Sequence, residues 1–151
     1  MLELARITDK DSLNSMAMNV HAMHVSWRPD IYEMPGELYS EERICEGIRN
    51  RSLYVAKIGG LTVGYVSLRI RDMAAPGLIT RKIMLVDELC VEEAVRSQGI
   101  GTEMMAEVRA LAKAFGCTDL QLNVYPQNDA AISFYQKCGL MIQSITMHGK
   151  L

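Results

Sequence analysis

The chain has 151 residues, with 16 Lys and Arg against 18 Asp and Glu; the formal charge of −2 comes without runs of like charge, so it lacks the electrostatic footprint of a nucleic-acid or anionic-membrane binder. This length suits one domain, 1–151, large enough to bury about two-thirds of its unfolded surface without disulfide or metal staples. Cys45, Cys90, Cys117 and Cys138 have no C-x-x-C spacing and form no ligand pattern with His21, His24 and His148; no metal is expected, and reduced thiols suit a cytoplasmic protein.

Charges at Glu3, Arg6, Asp9, Lys10 and Asp11 leave no secretory apolar region, and no apolar run approaches the ~20 residues that span a bilayer. Leu2 to Thr8 alternates weakly as a first strand. Thr8 and Asp9 offer N-cap chemistry for a helix with Leu13, Met16, Ala17, Val20 and His24 on one face. Pro29 and Pro35 then impose a loop over residues 24–36, whose Trp27 and Tyr32 are candidates for a substrate wall. Ser40 caps a second helix, Glu41 to about Arg49.

Ser52 to Ile58, the turn Gly59-Gly60 and Leu61 to Arg71 read as a β-hairpin, with Gly64 marking a bulge or a close approach. Arg81 to Val91 is apolar on both parities, as a central strand covered on both faces should be. A helix beginning at or just before Gly99 repeats Ile100, Met104, Val108, Leu111 and Phe115 and stops at Gly116. Asp119 to Val124 is a further strand, and a helix carrying Ala130, Ala131, Phe134, Tyr135 and Cys138 ends at Gly139. Leu140 to about His148 reads as a last strand, with room for a bend into two. This order describes an α/β mixed sheet with helices on both faces. The 11 methionines read as core filler.

Between the central strand and its helix stands Arg96-Ser97-Gln98-Gly99-Ile100-Gly101-Thr102. Exposed N–H groups at a helix N-terminus hold phosphate, and Gly99 and Gly101 lack the Cβ atoms that would keep a pyrophosphate away. A P-loop needs Lys-Ser or Lys-Thr after its last glycine, and a dinucleotide fingerprint needs a third glycine where Met104 stands, so both are excluded. The remaining pattern, Arg-x-x-Gly-x-Gly after Leu89-Cys90-Val91, resembles the acetyl-CoA pyrophosphate loop of the GNAT (GCN5-related N-acetyltransferase) superfamily. A second stretch, Asn128 to Leu140, is similar to the superfamily pattern Asn-x-x-Ala-x-x-Phe/Leu-Tyr-x-x-x-Gly-Phe and departs from it only at Leu140.

The resemblance implies a GNAT-like fold with a splay between the fourth and fifth strands. It implies transfer of an acetyl group from acetyl-CoA, with CoA as product, to a primary amine of a small molecule or peptide by direct attack on the thioester. A catalytically silent acyl-CoA sensor is the alternative. Leu89, Cys90, Val91, the loop Arg96 to Thr102, Asn128 and Tyr135 are the expected cofactor contacts. Tyr135 stands at the position of the general acid, and a phenol with a pKa of about 10 stays protonated at neutral pH. The N–H of Cys90 or Val91 is the expected oxyanion donor; Cys90 as a nucleophile is disfavoured, since nothing nearby in sequence lowers its thiol pKa.

Asp87 and Glu88 interrupt the apolar strand, and strand parity places them on opposite faces, so one of them is expected to serve as base or amine anchor, Glu88 first. A salt bridge to a neighbouring strand bearing Arg69 and Arg71 is the structural alternative. Asn123 stands where some relatives place an acidic base; as an amide it orients a water or substrate and takes no proton. The expected partners are an amine substrate, no nucleic acid, no membrane, and a monomer or homodimer.

Overall fold

The hairpin expected around Gly59 and Gly60 is the centre of the sheet. The computed structural model describes residues 1–151. Its elements are β1 (Leu2–Leu4), α1 (Lys10–Trp27), α2 (Glu41–Arg49), β2 (Leu53–Ile58), β3 (Leu61–Met73), β4 (Arg81–Val91), α3 (Ile100–Ala114), β5 (Asp119–Leu122) and α4 (Asp129–Lys137). The strands lie in the order β1-β2-β3-β4-β5, antiparallel except for the parallel pair β4–β5. The mixed sheet with helices on both faces is the expected class. No helix is long and apolar enough to cross a membrane.

Each face buries its own core. Against α3 lie Tyr54, Val66, Leu68, Met84, Val86, Met104 and Val108. Against α1 and α2 lie Leu13, Met16, Ala17, Tyr39, Ile44, Val55, Tyr65 and Cys90. Gly64 meets both expectations: the register slips beside it, leaving Val63 as an extra residue, and a Cβ on Gly64 would come within 2.8 Å of the Cys90 carbonyl oxygen.

Four expectations need correction. The first strand stops at Leu4, because the Asp9 carboxylate accepts the Arg6 N–H at 2.8 Å and closes a 3-10 turn over Ile7–Asp9. That carboxylate does not cap α1; it also takes Thr62 Oγ1 at 2.9 Å and Lys57 Nζ at 3.1 Å. The first helix continues through the proposed loop to Trp27 and yields only where Arg28, the residue before Pro29, leaves helical geometry with φ −137°. Strand β5 ends at Leu122, two residues short of Val124.

The largest difference lies at the C-terminal end of the chain. Residues 141–151 form no strand; they are exposed throughout and make no backbone–backbone hydrogen bond, with Met141 88%, Ile145 84% and Met147 91% accessible. Apolar residues can give a strand a face to bury, but a strand holds only when a neighbouring edge receives its N–H and C=O groups. Leu140 N–H, bonded to the Tyr135 carbonyl, is the last such group.

Candidate active site

The site begins at a fault in the sheet. Pairing of β4 with β5 runs from Ile83 opposite Asp119 to Val86 opposite Leu122 and goes no further, although β4 continues to Val91. On its other side β4 slips register at the same place: Leu68 faces Val86 and Ser67 faces Glu88, so Asp87 is an inserted bulge residue. Beyond it β4 follows β3 alone, and a gap opens between β4 and β5.

The bulge also overturns the parity argument for the two carboxylates. Glu88 meets Tyr65, Asp87 meets Arg69, and Tyr65 and Arg69 share one face of β3. Both acids therefore lie on the α1/α2 face. Asp87 is held by Arg69 in a forked pair of 3.0 and 2.7 Å, the structural alternative foreseen for it. Glu88 accepts Arg43 Nη2 at 2.8 Å, the Tyr65 hydroxyl at 2.8 Å and the Tyr39 hydroxyl at 3.0 Å. Burial first, and then the Glu88 charge, raise the pKa of both phenols, so they remain donors. The Arg43 guanidinium also stacks 3.9 Å from the centre of the Tyr39 ring.

Successive N–H groups of a strand point to opposite edges. The Glu92 N–H donates to the Val63 carbonyl on the β3 side at 2.8 Å, so Cys90 also directs its backbone toward β3, where its carbonyl stands against Gly64. This removes Cys90 as an oxyanion donor. The N–H groups of Leu89 and Val91 face the gap instead. Burial pushes the Cys90 thiol pKa up, in keeping with its dismissal as a nucleophile.

Past β4, a 3-10 turn at Glu93–Val95 leads into the glycine loop. Ser97 and Gly99 adopt left-handed φ values of 64° and 87°, and Gly99 is the N-cap of α3. From Ser97 to Thr102, including Gln98, Ile100 and Gly101, no backbone N–H has an acceptor within the chain. The two glycines divide their duties. A side chain at Gly99 would meet open space but has the wrong backbone conformation, whereas a Cβ at Gly101 would press within 3.1 Å of Phe134 on α4. Gly101 thus also serves helix packing. Arg96 is tethered through Nε to the Val91 carbonyl at 2.9 Å, with its guanidinium beside the Cys90 thiol.

On α4, Asn128 acts as helix cap, its Oδ1 accepting the Ala131 N–H at 3.1 Å. Tyr135 is largely withdrawn from solvent, makes no hydrogen bond that perturbs it, and has its pKa pushed up to about 12 by burial, with lesser contributions from Cys138 and Cys90. It lies within electrostatic range of β4 and holds a proton at any physiological pH.

The residues proposed as a substrate wall do come together. Trp27 and Tyr32 meet His24 and Tyr125, with ring centres 5.4 to 6.5 Å apart, and the Tyr32 and Tyr125 hydroxyls share a hydrogen bond of 2.8 Å that pushes the Tyr32 pKa up to about 12. Asn123 is exposed and outside β5. The sequence did not single out Tyr39, Arg43, Tyr65 or Tyr125, nor the place of His24 in the aromatic cluster.

A model of the acetyltransferase (GNAT) family matches residues 19–140. An N-alpha-acetyltransferase of Sulfurisphaera tokodaii is 28% identical over 102 residues, which cover 64% of this chain and 60% of that protein, so the match spans less than two-thirds of the relative. In fold, the chain is similar to a mutant of the BH1408 protein of Bacillus halodurans, with a TM-score of 0.93 at 24% identity over 100% of this chain and 99% of that one. It is also similar to the aminoglycoside N-acetyltransferase AAC(6')-Iy in complex with CoA, with a TM-score of 0.67 at 14% identity over 100% of this chain and 99% of that one.

Proposed function

This chain belongs to the acetyltransferase (GNAT) family, and we propose that it transfers an acetyl group from acetyl-CoA to a primary amine of a small molecule or peptide by direct attack on the thioester. The observation that carries the reading is the juxtaposition of the β4–β5 gap with the unpaired amides of Ser97 to Thr102. Those amides, the positive end of α3 and the free nitrogens of Arg96 suit a pyrophosphate, and the gap suits an extended arm leading from it. The names of two relatives, an N-alpha-acetyltransferase and an aminoglycoside N-acetyltransferase, favour an amine as acceptor.

Acetyl-CoA supplies an activated acyl group whose sulfur leaves once protonated. Leu89 and Val91 present N–H groups where negative charge develops on the acyl oxygen. Tyr135, neutral and without a competing acceptor, holds the proton destined for the sulfur. Glu88, fixed by Arg43, Tyr39 and Tyr65, sets a negative charge on the α1/α2 side to anchor an ammonium. Asp87 is already spent on Arg69 and contributes structure.

Thiol release from acetyl-CoA, measured against a panel of amines and peptide N-termini, tests the reading; at least one acceptor is expected to stimulate release. Acetyl-CoA should also raise the melting temperature, as a ligand selective for the native state does, and Gly99→Val should abolish that rise. Cofactor binding without release by any acceptor would favour the sensor; retained binding in Gly99→Val would count against the loop.

A further inference from the structure

The proton that an ammonium must lose has no free acceptor among the groups expected to take it. Glu88 already receives a guanidinium and two phenols, Asp87 receives a forked arginine, and Asn123 is an amide. One titratable side chain, packed against the segment that follows β5, is differently placed. His24 lies seven residues after the buried Ala17, two turns along the sheet-facing stripe of α1. Its ring stacks on Tyr32 at 5.4 Å and lies 5.7 Å from both Trp27 and Tyr125, so it is fixed among three aromatic rings. No hydrogen bond perturbs its imidazole, and it is within Coulombic range of Glu88.

We propose that His24 is the proton acceptor for the incoming ammonium, with Glu88 holding the charge of that ammonium in place; the inference rests on the acyl-transfer reading above. Of the titratable groups around the imidazole, Tyr32 from the loop after α1 and Tyr125 from the segment after β5 touch it, and His21 on α1 and Glu88 on β4 act on it through space. Burial is the largest influence and lowers the His24 pKa, His21 lowers it further, and Glu88 opposes them without winning. The ring is therefore neutral at pH 7, with a lone pair on one nitrogen.

That lone pair takes a proton from the ammonium. The N–H bonding pair stays on the amine nitrogen and forms the new C–N bond to the acyl carbon, while the C–S bond breaks and the sulfur keeps its electron pair and receives the Tyr135 proton. The acylated nitrogen sheds its second proton to restore the Tyr135 phenol through solvent, and His24 releases its own proton to bulk water. One proton is released for each ammonium acetylated.

The test uses the intact chain with acetyl-CoA and two nucleophiles: a primary alkylamine from the responsive panel, protonated at neutral pH, and an acyl hydrazide, already neutral there. His24→Gln is expected to lower kcat/KM for the alkylamine by about 10²-fold at pH 7, a deficit that shrinks as pH rises, and to leave the hydrazide nearly unaffected. Equal losses for both nucleophiles, or no loss for the alkylamine, would overturn the assignment. A wild-type chain that binds acetyl-CoA but releases no thiol with either nucleophile would overturn the transfer reading, and this role with it. Independently of turnover, nitrogen NMR of the wild-type histidines should show His24 titrating below the usual imidazole range; a His24 still charged at pH 7 would overturn the proposal even if the variant failed to fold.

Discussion

The two faces of one strand do different work in this molecule. Toward α3, β4 presents Met84 and Val86 to a core with no charge in it; toward α1 and α2 it presents Asp87 and Glu88 to arginines and phenols. The difference arises from one inserted residue. The bulge at Asp87 turns two successive acids to the same face and coincides with the last pairing of β4 to β5, so the change of chemistry and the opening of the sheet share a cause. A scaffold face and a reactive face can thus lie back to back on a single strand, provided that the backbone breaks its alternation once.

Substitutions on each side should separate the two functions. The largest effect belongs to the scaffold: Met84→Ala, at a side chain 1% accessible, should cost about 2–5 kcal/mol in denaturant titration and leave kcat unchanged below the lowered melting temperature. At the gap, Tyr135→Phe should reduce turnover by about 10²-fold, roughly 2.7 kcal/mol on the barrier, with cofactor affinity nearly unchanged. Wild-type turnover in that variant, with chemistry rate-limiting, would return Tyr135 to the core.

On the reactive face, Glu88→Gln should raise KM for an ammonium acceptor by about tenfold, the worth of one charge-assisted hydrogen bond. It should also keep the acidic limb of the kcat/KM profile but move it to lower pH, because His24 sets that limb and loses the Glu88 charge that raises its pKa: activity rises with pH through the lowered His24 pKa and holds above it. Loss of the limb in Glu88→Gln would make Glu88 the base after all. Smallest of all, Asp87→Asn should change stability by less than about 1 kcal/mol, since the Arg69 side of the pair is exposed, and should not alter the pH profile. A large catalytic defect there would show that the two acids do not divide the labour as their partners indicate.

The local elements were legible in the sequence wherever neighbouring residues decide the outcome. Ser40 caps α2 through its hydroxyl, Arg81 and Val91 bound β4, and Gly99 opens α3, because capping, strand alternation and a left-handed turn need only a few adjacent residues. The glycine loop and Tyr135 stand out in the sequence for the same reason, as short patterns of adjacent residues. What depended on distant partners was not legible. Leu140 to His148 reads as a strand, yet no edge takes it up; parity separated Asp87 from Glu88 until the pairing with β3 made Asp87 a bulge. That Gly101 also makes room for Phe134, from a helix far along the chain, was not visible either. Arg43, Tyr39 and Tyr65 meet on Glu88, and His24 meets Tyr125, only after the sheet has assembled. Sequence by itself determined the backbone turns and the reactive groups. Tertiary structure decided which groups are already occupied by one another and which remain free to act, because hydrogen-bond occupancy belongs to pairs of residues and not to any one of them.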